Sequence, residues 1–177
     1  MTANGRSVNW GILLAGLATV IPLIYLLGTG FGNNPNAVPF ALESRPAPEF
    51  ELQTLDGTTF SSADLQGEWL VINFWSTWCR PCKVEHDLLQ AAAKHYRHAQ
   101  FLGVLYSDDA DKAKRYLKSA GASYPTLVDP RHRMAIDYGV AGVPETYFVD
   151  PEGIIVYKHL GAMSSGVLEH FLGEKQQ

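Results

Sequence analysis

Hydrophobic residues follow two different patterns along this chain. Residues 10–27, WGILLAGLATVIPLIYLL, form one uninterrupted apolar run, and no charged side chain occurs between Arg6 and Glu43. From about residue 46, short apolar blocks alternate with polar segments and turns, as they do in a folded domain. The pattern predicts an N-terminal apolar helix followed by one folded domain.

Within the domain, two near-continuous apolar runs predict strands that are buried on both faces. The predicted order is a strand near 50–53, a helical turn begun by Ser61 or Ser62, the strand WLVINFW at 69–75, a helix at about 80–97, the strand FLGVLY at 101–106, a helix from Asp108 or Asp109 to Gly121, a short helix near 131–138, a hairpin of ETYFVD and IIVYKHL, and a final helix in SSGVLEHFL. Alternating strands and helices that end in a hairpin and a helix predict a three-layer α/β domain.

The N-terminal apolar run predicts a transmembrane helix. Residues 10–27 are long enough, as a helix, to span the ~30 Å hydrocarbon layer. Trp10 and Tyr25 fall where interfacial aromatic residues lie, and Arg6 with the terminal amine supplies the positive charge before the run. The short N-terminus is therefore expected in the cytoplasm and the folded domain on the other side of the membrane.

Four segments are expected along the chain. They are a cytoplasmic N-terminus at 1–9, a transmembrane anchor at 10–28, a flexible tether at 29–45 and the folded domain at 46–177. Cleavage after the small residues GTG is the alternative to an uncleaved anchor. The location of the domain outside the cytoplasm is the same in both cases.

Composition narrows the function classes. The chain is 46% hydrophobic and 18% charged, with a net charge of −4, so it has no basic surface suited to nucleic acid. Two cysteines are too few for the disulfide framework of a small secreted domain. A functional role of these cysteines would therefore be a chemical reaction of the thiols and not a structural one.

The cysteine pair in FWSTWCRPCKVEH has the spacing of a redox-active disulfide. Cys79 follows a buried strand and begins a predicted helix, where free N–H groups and the helix dipole stabilise a thiolate. Pro81 suits the first helical turn, and Arg80 adds positive charge nearby. Cys82, one turn along on the same face, lies within closing distance of Cys79, and because it is inside the helix we expect it to be less accessible to solvent than Cys79.

Two other interpretations of the pair are weaker. Cys79, Cys82, His95 and His98 nearly match a zinc-finger spacing, but the histidines would lie ~20 Å along the same helix and could not share an ion. A purely structural disulfide would close a very small loop and add little stability. We therefore expect no metal, and no cofactor other than the Cys79–Cys82 disulfide itself.

At this point the sequence resembles a known family. VINFWSTWCRPCK, followed about sixty residues later by GVPETYFVD, is similar to the thioredoxin superfamily. The opening PAPEFELQTLDG and the apolar run resemble its membrane-tethered bacterial branch, the cytochrome c maturation thiol reductases of the DsbE/CcmG type and the related ResA/TlpA proteins. The resemblance covers residues 46–173. It implies a thioredoxin-like three-layer α/β fold with a central mixed sheet, preceded by one transmembrane helix.

The resemblance implies roles for residues around the pair. Cys79 would be the nucleophile and Cys82 the resolving thiol. Pro144 matches the family's cis-proline, and Val143 before it would offer its backbone to an extended substrate. Glu145 is expected to line the substrate groove, with a simple strand-edge carboxylate as the alternative.

A proton acceptor for the pair is expected at Glu85. Asn73 stands where thioredoxin has a buried aspartate, and an amide cannot take a proton. Glu85, three residues after Cys82, shares its helix face, and burial would raise its pKa enough for it to accept the Cys82 proton. A solvated glutamate is the alternative. Trp78 is expected to shield the nucleophile and contact substrate, and Trp75 to lie in the core.

The resemblance implies a membrane-anchored reductase outside the cytoplasm. Its expected substrate is the C-x-x-C-H disulfide of apocytochrome c or another extracytoplasmic disulfide protein, and its electron donor a membrane protein of the DsbD or CcdA type. The other partner is membrane lipid, with no nucleic acid. Alternatives are a general thiol reductase, a peroxiredoxin-like peroxidase using the Ser76 hydroxyl, and a tethered copper or assembly chaperone for a respiratory oxidase. No proline between Pro48 and Pro81 and no methionine-rich segment weigh against the last two.

Overall fold

The structure is a computed structural model that describes residues 9–30, 42, 44–65 and 67–173, without the side chains of residues 26, 27, 29 and 30. The chain divides into two compact units, Met1–Pro39 and Phe40–Gln177.

The described residues of the first unit include the helix α1, which spans Trp10–Gly30 and covers the apolar run of the sequence. Pro22 lies inside it. Over the residues that the structure describes, no helix combines the length and the apolar character needed to cross a membrane. The anchor therefore stays a prediction. Residues 1–8 of the predicted cytoplasmic N-terminus and most of the predicted tether lie outside the described residues.

The second unit alternates strands with helices, as the sequence pattern predicts. Its elements are β1 (Arg45–Pro46), β2 (Glu51–Thr54), β3 (Thr59–Ser61), a 3₁₀ turn (Ser62–Leu65), β4 (Trp69–Trp75), α2 (Arg80–His95), β5 (Ala99–Leu105), α3 (Ala110–Ala120), β6 (Thr126–Val128), α4 (Arg133–Asp137), β7 (Glu145–Val149), β8 (Ile154–Leu160) and α5 (Ser165–Leu172).

The strands form one mixed sheet in the order β1-β8-β7-β4-β5-β6-β2-β3. Strand β4 pairs parallel to β5, and β5 parallel to β6, whereas β4 with β7 and β7 with β8 are antiparallel. The carboxyl ends of β4 and β5 therefore lie side by side at one edge of the sheet, next to the start of β7. The loops that follow these strands build the candidate site.

Each face of the sheet carries its own hydrophobic core, because successive side chains of a strand point to opposite faces. Ile72 and Phe74 of β4 belong to the core that includes α4. Val71, the residue before Ile72, packs with Leu89 of α2 and Leu168 of α5 in the core on the other face. Helices on both faces of a central mixed sheet confirm the predicted three-layer α/β arrangement.

The long elements agree with the sequence pattern, as do the short β2, the 3₁₀ turn and α4, whereas three short strands do not follow from it. Strand β4 has the predicted bounds, and α3 begins after an Asp109 cap and ends at Gly121. Strands β1, β3 and β6 are not predicted, since runs of two or three residues are too short to show a period. They exist because longer neighbouring strands offer them hydrogen-bonding partners.

Candidate active site

Cys79 stands at the N-cap of α2 and is disulfide-bonded to Cys82, with their Cα atoms 5.3 Å apart. Its Sγ accepts a hydrogen bond from the backbone N–H of Cys82 at 3.1 Å. Pro81 lies in the first turn, where its missing N–H leaves no hydrogen bond unmade. When the disulfide is reduced, N–H groups and the helix dipole at this position stabilise a negative sulfur. The pair is therefore built for thiolate chemistry at Cys79.

The loop between β4 and Cys79 is held by Asp108. Thr77 donates from both its backbone N–H and its Oγ1 to Asp108 Oδ2, each at 2.6 Å. Desolvation opposes the charge of Asp108, but the hydrogen bonds from Thr77 and the Asp109 N–H, together with the charge of Lys112, outweigh it and keep the pKa of this carboxyl below its usual range. Sequence reasoning treated Asp108 only as a possible helix cap, a position that Asp109 takes. Its role in holding the loop depends on Thr77, 31 residues away in the sequence, and no local sequence pattern indicates this contact.

Solvent access does not distinguish the two sulfurs in the disulfide form. Cys79 is 4% exposed and Cys82 is 5% exposed. The expectation that Cys82 is the less accessible of the two is therefore not met. Both pack in one small cluster with Trp75, Leu105 and Ala113. The preference for Cys79 as nucleophile rests on its N-cap position.

Glu85 lies about one turn along α2 from Cys82 and is buried on the inner face of the helix, with 2% of its surface exposed. Its Oε1 accepts from Asn73 Nδ2 at 2.9 Å, and its Oε2 accepts from the Met163 backbone N–H at 2.6 Å. Asn73 Nδ2 also donates to Thr146 Oγ1 at 3.0 Å. Desolvation raises the pKa of Glu85 to about 7, although the two hydrogen bonds favour its charged form. A surface glutamate is thereby excluded, and the carboxyl can exchange a proton near neutral pH.

The loop before β7 approaches the pair from the opposite side. The Val143–Pro144 peptide bond is cis. Val143 packs against the cluster that contains Cys79 and Cys82. Glu145 is 4% exposed, and its carboxylate points inward, where it is hydrogen-bonded to the loop. The carboxylate that the sequence suggested for a groove wall or a strand edge is therefore enclosed, on an interior strand.

The two tryptophans beside the cysteines lie in different surroundings. Trp75 is buried and its ring lies 5.7 Å from that of Tyr116. Trp78 is 61% exposed, and its Nε1 donates to the Ser107 carbonyl at 3.1 Å. Its ring forms one wall of a cleft of about 450 Å³, with Lys112 among the facing residues. An exposed, hydrogen-bonded indole beside the nucleophile offers an apolar surface to a polypeptide substrate.

Known proteins are similar in sequence to this chain along most of their length. Residues 44–158 match the AhpC/TSA family. The thiol:disulfide interchange protein HelX of Rhodobacter capsulatus is 37% identical over 158 residues, 84% of this chain and 89% of that protein. The thiol:disulfide interchange protein DsbE of Escherichia coli K12 is 37% identical over 163 residues, 89% of this chain and 86% of that protein. The chain belongs to the AhpC/TSA family, among the DsbE/HelX thiol:disulfide interchange proteins.

Solved structures agree with this membership. The structure of MTB DsbF in its mixed oxidized and reduced forms is 27% identical, has a TM-score of 0.66 and covers 77% of this chain and 97% of its own. The thioredoxin-like fold is thus confirmed. As a member of the DsbE/HelX proteins, the chain is a thiol–disulfide oxidoreductase whose redox-active pair is Cys79–Cys82.

The residues considered for a peroxidase or a zinc site are not part of the DsbE/HelX-type redox site. Ser76, considered for a peroxidase, is fully buried and its hydroxyl donates to the Tyr106 carbonyl. His95 ends α2, and His98 lies beyond it with Nε2 3.0 Å from the Leu172 carbonyl, whereas the cysteines are at the start of α2. In the described part of the chain, no three His, Cys, Asp or Glu side chains are grouped to hold a metal ion.

Proposed function

We propose that the chain is an extracytoplasmic reductant of the C-x-x-C-H disulfide of apocytochrome c. The observation that carries the chemistry is the buried Glu85 in the helix whose N-terminus Cys79 caps, about one turn after Cys82. This arrangement supplies both an attacking thiolate and a proton acceptor for the resolving thiol. The choice of substrate is supported by the resemblance of CKVEH and GVPETYFVD to the cytochrome c maturation branch.

The proposed reaction proceeds in two exchanges. The Cys79 thiolate attacks one sulfur of the substrate disulfide, forms a Cys79–substrate disulfide and releases the other substrate sulfur, which takes a proton. Glu85 then accepts the proton of Cys82, and the new thiolate attacks Cys79 Sγ. The Cys79–Cys82 disulfide forms, and the substrate leaves with both cysteines reduced. Two electrons pass from the pair to the substrate, and a membrane donor of the DsbD or CcdA type returns them.

A synthetic peptide tests the substrate assignment. The fully reduced chain is mixed with an oxidised Cys-x-x-Cys-His peptide, and free peptide thiols are followed by mass after acid quenching and alkylation. We expect one peptide disulfide to be reduced for each protein disulfide formed, faster than for a peptide of unrelated sequence with an equally small disulfide loop. Equal rates for the two peptides would favour a general thiol reductase. Retention of copper by the reduced chain would favour the chaperone alternative.

The proposed location is the cytoplasmic membrane, with a single span at residues 10–28, a cytoplasmic N-terminus and the redox domain on the outer side. The uncharged run after Arg6 supports this location. We expect the full chain to sediment with membranes and to resist extraction by sodium carbonate. N-terminal sequencing of the membrane fraction decides whether the span is retained. A soluble mature chain that begins near Phe31 would overturn the anchor and leave the redox chemistry untouched.

A further inference from the structure

A buried ion pair joins the last two strands of the sheet to the loop that precedes Pro144. Lys158 Nζ on β8 lies 2.8 Å from Glu145 Oε2 on β7, with the two side chains 11% and 5% exposed. Lys158 Nζ also donates to the Gly139 carbonyl at 2.9 Å and lies 5.2 Å from the centroid of the Tyr147 ring. Charges this enclosed are stable only when they are paired and hydrogen-bonded. The pair therefore holds the beginning of the loop to the sheet.

The second oxygen of the same carboxylate holds the end of the loop. Glu145 Oε1 accepts hydrogen bonds from the backbone N–H groups of Ala141 and Gly142, at 3.1 and 3.2 Å. One carboxylate thus binds two consecutive loop amides and, through Lys158, the Gly139 carbonyl. Loop 139–142 is fixed at three points by two side chains that never reach the sulfurs.

The next residue brings this fixed loop to the redox centre. Val143 packs against the cluster that contains Cys79 and Cys82. On its other side, the Pro144 carbonyl accepts from the Gly161 N–H at 2.9 Å, which ties it to the end of β8. Since Val143 directly follows loop 139–142, its position against the cysteine cluster, and with it the direction of its backbone, depends on how this loop is held.

We propose that Glu145 and Lys158 are positioning residues that act as a unit: their ion pair sets loop 139–142 so that the Val143 backbone lies where a substrate strand pairs with it. The inference rests on the proposed binding of an extended substrate along Val143. It does not depend on the cytochrome substrate, since any extended disulfide peptide would need the same backbone. According to this inference, Lys158 affects substrate binding although its side chain has no redox-active group.

The test separates binding from the reactivity of the sulfur. Reduced wild-type chain and Lys158→Met are compared in single-turnover reduction of a disulfide peptide, and in alkylation of Cys79 by iodoacetamide, which needs no peptide-binding surface. We expect Lys158→Met to raise the half-saturating peptide concentration about tenfold, with the rate at saturation and the alkylation rate within about twofold of wild type. Lys94→Met, which removes an exposed lysine from the far end of α2, is the matched control and should change none of these values.

Rescue distinguishes positioning from a purely structural role. Glu145→Gln combined with Lys158→Met leaves no unpaired buried charge, and the glutamine carbonyl can still accept from the loop amides. We expect the double variant to return the half-saturating concentration to within about threefold of wild type. Equal losses in peptide reduction and alkylation, or an unchanged half-saturating concentration in a folded Lys158→Met, would refute the inference. If Lys158→Met does not fold, the double variant takes its place. A folded double variant whose half-saturating concentration stays more than about threefold above wild type would then refute the inference. If the proposed function is wrong, the wild-type chain should instead reduce the Cys-x-x-Cys-His peptide and the unrelated peptide at equal rates.

Discussion

Cys79→Ser is expected to abolish thiol–disulfide exchange, whereas Cys82→Ser is expected to keep the first exchange and stop at the mixed disulfide. The reason is the position of Cys79 at the N-cap of α2, where its Sγ already accepts a hydrogen bond from the Cys82 N–H at 3.1 Å. A thiolate at this position is stabilised by the helix N-terminus, and a sulfur one turn inside is not. The attacking and the resolving cysteine therefore cannot exchange roles.

Trapping measures this asymmetry. Each reduced variant is incubated with an oxidised peptide and analysed by non-reducing electrophoresis and mass spectrometry. Cys82→Ser should accumulate a covalent adduct that dithiothreitol releases, and Cys79→Ser should yield none. Both cysteines are nearly buried in the disulfide form, so the disulfide form does not show which sulfur is more reactive. The rate at which each cysteine of the reduced wild-type chain is alkylated is therefore an independent check. Faster modification of Cys82 than of Cys79 would reverse the assignment.

Glu85→Gln is expected to slow disulfide exchange by ~10²–10⁴-fold, the usual contribution of a general acid or base. Burial raises the pKa of Glu85 to about 7, so near neutral pH the carboxylate can accept the proton that Cys82 must lose. Glutamine copies the shape of the protonated acid and cannot titrate. The loss should be largest above about pH 7, where wild-type Glu85 is ionised, and smallest at about pH 5, where it is protonated.

The measurement is the pH profile of exchange from about pH 5 to 9 for wild type, Glu85→Gln and Asp87→Asn. Asp87 lies two residues further along α2 and is exposed, so its substitution removes a carboxylate from the helix without touching the pair. Its profile should match the wild type. A Glu85→Gln chain that reacts at the wild-type rate over the whole range would show that the proton leaves by another path.

The free energy of unfolding gives a second readout on Glu85. Its pKa in the folded chain, about 7, lies above the ordinary value of 4.5, so the folded state binds this proton more tightly than the unfolded state. The stabilisation is fully present below about pH 4.5 and is lost as the pH rises to about 7, by up to ~3 kcal/mol for a shift of this size. Glu85→Gln should lack this decline. Urea unfolding of the oxidised chain at about pH 5 and pH 8 measures the difference.

Local patterns were sufficient to predict the main frame of the fold and the reactive pair. Strand β4 is recognisable because seven consecutive apolar or amide residues suit a strand buried on both faces. Helix α3 is recognisable because Asp109 and Gly121 have the chemistry of helix caps. The Cys79–Cys82 pair is recognisable because three residues on a helix bring two sulfurs onto one face, after a buried strand and at the start of the helix.

Predictions that depended on the surroundings of a residue were less complete. Glu85 could be placed on the face of Cys82 by counting along the helix. Its partners could not be found that way, because the Met163 N–H is 78 residues away in the sequence. Relative solvent access of the cysteines was predicted from helix position, yet packing against Trp75 and Leu105 buries both sulfurs to nearly the same extent.

The sequence by itself thus determined the order of the long elements, the location of the redox pair and the candidate for its proton acceptor, because residue types and short spacings along the chain are enough for each. Only the tertiary structure decided what holds that site in place. Asp108 reaches Thr77 because β4 and β5 run parallel and end together. Lys158 reaches Glu145 because the β7–β8 register sets it opposite Tyr147, two residues along the same face. Strand register arises from the packing of the whole sheet, so no local pattern contains it.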